Sequence, residues 1–197
     1  MPVHDRRRGT ALLVAVAASG LAAVVLVSVA DGGGGRTTPP PWAAPADAEH
    51  RAEVAGLTML TEEGVVMHLH EHLSITVDGA AQTVPAHIGI DTAADRFAPI
   101  HTHDTTGIIH VESPVRTTFR LGQVFTEWDV ALGPGSVGGY HEGRDGTRVA
   151  VFVDEQPYTA DPRALVLRER QDIDLVVTTD GSTPAAPSTP YPFPANY

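Results

Sequence analysis

The alternation over residues 65–77 constrains the fold more than any other feature of this chain. Met67, Leu69, Leu73, Ile75 and Val77 hold the odd positions, with Glu71 the exception. His68, His70, His72, Ser74 and Thr76 hold the even ones. A period of two is the signature of a strand with one apolar and one polar face. Such a strand must bury its odd face against another element while it presents three imidazoles on the other side. Asp78-Gly79 then reads as a hairpin turn into a second strand over residues 82–85.

A second histidine cluster follows in Pro99-Ile100-His101-Thr102-His103-Asp104, with His110 and Glu112 just beyond. Six of the ten histidines lie in these two stretches. Alternate residues of a strand point the same way, about 6.6–7 Å apart. Two imidazoles so placed can converge on one ion at about 2.0–2.1 Å from each nitrogen. Three in a row fit worse, because His68 and His72 would be about 13 Å apart at that rise. A site would therefore take an adjacent pair from the triplet and further ligands from His101, His103 and His110. This predicts a contact between the two segments, forming one site of three or four ligands or two neighbouring sites. The candidate ligands are His68, His70, His72, His101, His103 and His110. Glu71, Asp104 and Glu112 are candidates for carboxylates that orient imidazoles from behind. Imidazoles and carboxylates without thiolate suit a transition metal ion, with zinc or copper first.

The other histidines read more blandly. His50 belongs to a solvated helix face, His4 to the leader and His141 to a glycine-rich loop, while His87 is intermediate. Met67 would suit Cu(I), but it lies on the face opposite the histidines and reads as core.

The remaining pattern is β-rich. Ile108, His110 and Glu112 share one side of a short strand after a break at Gly107. Residues 148–153, 164–167 and 173–178 read as further strands. Leu121, Val124, Phe125 and Trp128 have helical spacing, so residues 121–128 read as one short helix. Residues 132–146 read as glycine-rich loop. The expected fold class is β-rich α+β, a single compact domain over residues 57–181 with one short helix.

The flanks differ in character. Asp5-Arg6-Arg7-Arg8 precedes an uncharged run over residues 9–30, long enough to cross a bilayer core as a helix. Arginines before the run place the N-terminus in the cytoplasm and the bulk outside. Length favours an uncleaved signal anchor, since a signal-peptide core spans about 7–15 residues; Ser28-Val29-Ala30 favours a cleaved signal. Both put the histidine region outside the cytoplasm, at the membrane or secreted. Residues 31–56 read as Gly/Pro-rich linker, with a short helix after Asp47. Residues 182–197 hold five prolines and read as a disordered or extended tail.

Charge and composition exclude several classes. All 13 basic residues are arginine, against 24 acidic residues. Beyond residue 30 the chain carries 10 basic and 23 acidic residues, a formal charge of −13. Nucleic acid is thereby disfavoured, because binding it needs a basic footprint. With no cysteine, disulfides, thiolate zinc sites, iron–sulfur clusters and blue-copper chemistry are removed.

The stretch 67–79 together with residues 99–112 resembles a family of exported microbial proteins bearing HxHxHL and HTHD-type motifs. The resemblance covers residues 67–128 and implies an exported domain, without implying an activity. Two other families are only loosely similar. Cupins pair an HxH motif with a nearby glutamate, but no glutamate stands three or four residues beyond His103. Copper–zinc superoxide dismutase has a strand HxHE, similar to His68-Leu69-His70-Glu71, but its downstream histidines and cysteine pair have no counterpart here.

Three readings stand. One is an extracytoplasmic metal-binding module for zinc or copper handling or sensing. Another is a metal-dependent enzyme, oxidoreductase or hydrolase, with an open metal position and Asp104 or Glu112 as general base. The third is an interaction domain whose grouped histidines sense pH.

Overall fold

A computed structural model describes residues 34–195 and 197. The arginine-led apolar run, His4 and the first glycines of the linker lie outside the described residues. Among the described residues, no helix is long and apolar enough to cross a membrane.

In chain order the elements are α1 (Ala48–Val54), β1 (Met67–Val77), β2 (Ala80–Gln82), β3 (Ile90–Asp91), β4 (Arg96–Phe97), β5 (Ile100–His101), β6 (Ile108–Ser113), α2 (Leu121–Trp128), β7 (Leu132–Gly133), β8 (Ser136–Val137), β9 (Tyr140–His141), β10 (Arg148–Val153), β11 (Gln156–Pro157), a 3-10 turn (Pro162–Ala164) and β12 (Asp172–Thr178). The domain is β-rich with two α-helices.

The main sheet runs β11-β10-β12-β1-β6-β5, with β2 also paired to β1. β1 lies parallel to β12 and antiparallel to β6. The central strand is thus the alternating histidine strand, and its odd face builds the core. Leu73 and Ile75 join Ile109, Val111, Ile173, Leu175 and Val177 from the neighbouring strands. α2 covers this face with Leu121, Val124, Phe125 and Trp128, all fully buried. Each such side chain contributes about 1.5–3 kcal/mol through removal from water. The helix starts where the Arg120 N–H donates to the Gln123 side chain at 3.0 Å, and it stops at Asp129, whose φ is 59°. Asp78 and Gly79 both take positive φ, 50° and 77°, as a tight β1–β2 hairpin turn requires.

The structure departs from the sequence reading in several places. The short helix expected after Asp47 is present as α1, but it packs into the domain where a linker was expected. Residues 34–56, read above as linker, contribute Trp42, Ala48 and Ala52 to the buried interior. Trp42 meets Trp128 edge-on at 5.8 Å, and the Trp128 indole N–H donates to the Trp42 carbonyl. Asp47 precedes α1 but makes no side-chain capping bond. The glycine-rich stretch 132–146 contains the small sheet β7-β8-β9. The strand expected over residues 164–167 is instead a 3-10 turn followed by a single bridge from Val166 to Arg120. Pro162 and the Asp161 side chain, which accepts from Arg163 N–H, favour that turn.

Candidate metal centre

The even face of β1 looks away from α2. Its register decides which histidines meet. His70 pairs with His110 on β6, and His110 pairs with His101 on β5. Three imidazoles from three adjacent strands therefore form one row across the sheet. One step along, His68 pairs with Glu112. The expected contact between the two histidine segments is present.

Five of the six candidate histidines converge, together with Glu112. His68, His70, His110 and Glu112 form one set that can hold a metal ion; His101, His103, His110 and Glu112 form another. Within each set all donor atoms lie within 4.8 Å of one another. The Nε2 atoms of His68 and His70 are 3.2 Å apart, and those of His101 and His103 are 3.1 Å apart. Two nitrogens bound to a tetrahedral ion at about 2.0–2.1 Å are separated by roughly 3.3–3.4 Å, so both pairs are spaced as ligand pairs are. The His101 ring nitrogen Nδ1 lies 2.9 Å from the Ala98 carbonyl. That carbonyl can only accept, so Nδ1 carries the proton and the Nε2 lone pair faces His103. Metal-binding imidazoles are commonly held this way.

Glu112 takes a different place from the one expected. It stands among the histidines, with Oε1 3.2 Å from His68 Nε2 and 3.4 Å from His110 Nδ1. Burial acts to raise its carboxyl, but His110, His101 and His68 and a hydrogen bond with Glu63 outweigh this and hold it at about 2. His70 is lowered to about 4 by burial and then by His110 and His68. His101 is likewise lowered to about 4, chiefly by burial. Burial and His110 also lower His103. Lowering His70, His101 and His103 favours their neutral form, and neutral imidazole beside a carboxylate is the state in which these groups ligate a cation.

The other expected residues lie elsewhere. His72 stands apart from both sets. Its Nδ1 lies 2.7 Å from Asp172 Oδ1 on β12, and its ring stacks on Tyr191 at 3.6 Å. Glu71 sits on the core face of β1, completely buried, with neither oxygen hydrogen-bonded among the described residues. Burial, then Glu169, pushes its carboxyl well up, and from the core face it orients no imidazole. Asp104 accepts from the Thr106 N–H at 2.8 Å and from the Thr106 hydroxyl, which makes it a turn former. His50 is exposed beside Glu53. His87 and His141 belong to neither donor set.

Sequence reasoning missed three contributors. Glu63 reaches in from the loop before β1, with Oε1 3.5 Å from His103 Nε2. Its carboxyl is raised by burial and then by the neighbouring Glu112. No spacing signal marks Glu63. Asp172, which pairs with His72, was visible in principle as an acid on an apolar strand. The third contributor is the proline-rich segment after residue 182, which forms no helix or strand and returns across the histidine face. Tyr191 stacks on His72, while Tyr197 stacks on His70 at 4.3 Å and meets His110 edge-on at 5.5 Å. The Tyr191 N–H donates to Asp172 Oδ2, and Arg170 donates to the main-chain oxygen of Tyr197.

The inner donors are shielded and the outer ones are not. The His110 and Glu112 side chains are 7% and 5% exposed, against 53% for His68 and 39% for His103. The site is a polar floor with solvent-facing rims. No protein-family model matches this chain, and no curated protein or solved structure matches it either.

Proposed function

We propose that this is an extracytoplasmic transition-metal-binding domain, for zinc or copper, that serves in metal handling or sensing. The observation that carries the reading is the row His101–His110–His70 beside Glu112, with donors from three strands converging at ligand spacing. The donor set is nitrogen-rich, holds one carboxylate and lacks thiolate, which suits Zn²⁺ and Cu²⁺. Placement outside the cytoplasm rests on the sequence, through the arginine-led apolar run and the resemblance to exported proteins. The run also supplies the membrane association this reading includes.

A second reading, metal-dependent catalysis, is favoured by the exposed rim. Ligands that face solvent leave room for a water or substrate on the ion. The pH-sensing reading is less well supported. A sensor needs titration near pH 5–7, whereas His70 and His101 are held at about 4.

The test is metal retention by the full chain. The purified protein is stripped with chelator, incubated with Zn²⁺ or Cu²⁺, desalted and analysed for metal. Stoichiometric retention that is lost in His110→Ala supports the proposal. Retention no higher than that of a histidine-poor control protein overturns it.

A further inference from the structure

The number of donors exceeds what one ion uses. A four-coordinate ion that takes His68, His70, His110 and Glu112 leaves the bare Nε2 of His101 facing His103 at 3.1 Å. An ion that takes the other set leaves His68 and His70 in the same position, with Nε2 atoms 3.2 Å apart. Each leftover pair is already spaced as two ligands of an ion are, and the two pairs come from opposite sides of β6. β1 supplies one, β5 and the loop after it supply the other, and His110 and Glu112 lie on the strand between them. His110 Nδ1 is buried without a hydrogen bond among the described residues, although it faces Glu112. A buried polar atom without a well-formed hydrogen bond is costly, and a cation held between His110 and Glu112 would satisfy it. A carboxylate has two oxygens, and in two-metal sites with ions roughly 3.5–4 Å apart such a group can bind both.

We propose that the centre is dinuclear. His68 and His70 hold one divalent transition-metal ion, and His101 and His103 hold a second. Glu112 bridges the two, and His110 completes the coordination of one of them. This rests on the metal-binding reading above and deepens it. Glu63 stands at the rim beside His103, with Oε1 3.5 Å from His103 Nε2. The rim is open to solvent on that side.

The experiment uses Co²⁺ with the full chain, because its spectrum reports both count and coupling. Metal analysis after desalting is expected to give two Co²⁺ per chain. The electron paramagnetic resonance signal at two equivalents is expected to fall below twice that at one equivalent, because ions sharing a carboxylate couple. The double variants His68→Ala/His70→Ala and His101→Ala/His103→Ala are each expected to keep at most one ion and lose the coupling, with folding checked by circular dichroism. The coupling in the unaltered chain needs no variant to fold. One Co²⁺ per chain overturns the dinuclear proposal and leaves the metal-binding reading intact. Two Co²⁺ with strictly additive signals overturn the bridge. No Co²⁺ retained, with none of Zn²⁺ or Cu²⁺ either, overturns both.

Discussion

His70 and His110 stand opposite each other on antiparallel strands, with ring centroids 4.8 Å apart and planes at 86°. His110 is at the same time paired with His101, whose ring lies parallel to it at 5.6 Å. It is therefore the one imidazole common to both donor sets. His110→Ala is expected to weaken metal binding more than His68→Ala or His103→Ala does. The loss should exceed the roughly 10–100-fold that removal of an outer-shell partner costs. Competition with a chromophoric chelator measures this, and equal losses in all three variants would contradict the shared role.

Acid should destabilise the metal-free protein in a defined window. The folded value of His101 is about 4, below its ordinary 6.5. Between these values the unfolded chain takes up a proton that the folded chain does not, so stability falls as pH falls from 6.5 to 4 and then levels for this group. The contribution is on the order of 3 kcal/mol. Glu112, held at about 2 against an ordinary 4.5, adds a second loss as pH falls below 4.5. Urea midpoints measured in chelator from pH 7 to pH 4 should drop, and His101→Gln should flatten the upper part of the curve. An unchanged slope in that variant would sink the assignment.

Glu127 works in the opposite sense. It is 1% exposed on α2, with neither carboxyl oxygen hydrogen-bonded among the described residues, and burial pushes its carboxyl well up. The folded state keeps a proton that the unfolded chain releases above its ordinary 4.5, so stability declines as pH rises past that point. Glu127→Gln is expected to stabilise the protein by about 1–3 kcal/mol at pH 7.5 and by little at pH 4. Thermal unfolding at the two values checks it; a destabilised variant at pH 7.5 would point to a partner for the carboxylate.

Gly107 fixes the approach of the second histidine segment to the first. Its φ is +86°, and an added Cβ would lie 2.4 Å from the Leu73 carbonyl oxygen and 3.1 Å from His72 Nε2. Gly107→Ala is expected to cost about 2–3 kcal/mol or more and to disturb β6 at its start. Chemical denaturation measures the cost, and a neutral substitution would show that the turn is not constrained.

Tyr191 and Tyr197 cover His72 and His70. Aromatic contacts of this kind contribute about 0.5–1.5 kcal/mol each, so Tyr197→Ala is expected to speed metal release about 2- to 10-fold. Stopped-flow transfer to a chelator reads this rate. No acceleration would mean that the stacked segment does not restrain the ion.

Much of the site was legible because strand periodicity is local. His68 and His70, His101 and His103, and His110 and Glu112 each share a face by spacing alone, and Gly107 marks the break between two of these pairs. Glu71 was misjudged because adjacency to two histidines does not bring a strand residue to their face; the pleat turns it into the core. Glu63 was invisible because it reaches the site from a loop without a pattern. Trp42, α1 and the proline-rich segment were undervalued because composition reports local preference, and their order comes from packing on distant residues.

The sequence by itself determined a half-polar strand that carries imidazoles, its hairpin turn, the helix of residues 121–128 and a donor chemistry of nitrogen and carboxylate. Only the tertiary structure decided which donors meet. Register set His70 against His110 and His101, and it set His72 against Asp172, about a hundred residues away in the chain. A period of two says which face a residue takes, but the register between strands is fixed by burial of the opposite face and by turn geometry. That physical difference separates five histidines at the candidate centre from the one that braces its cover.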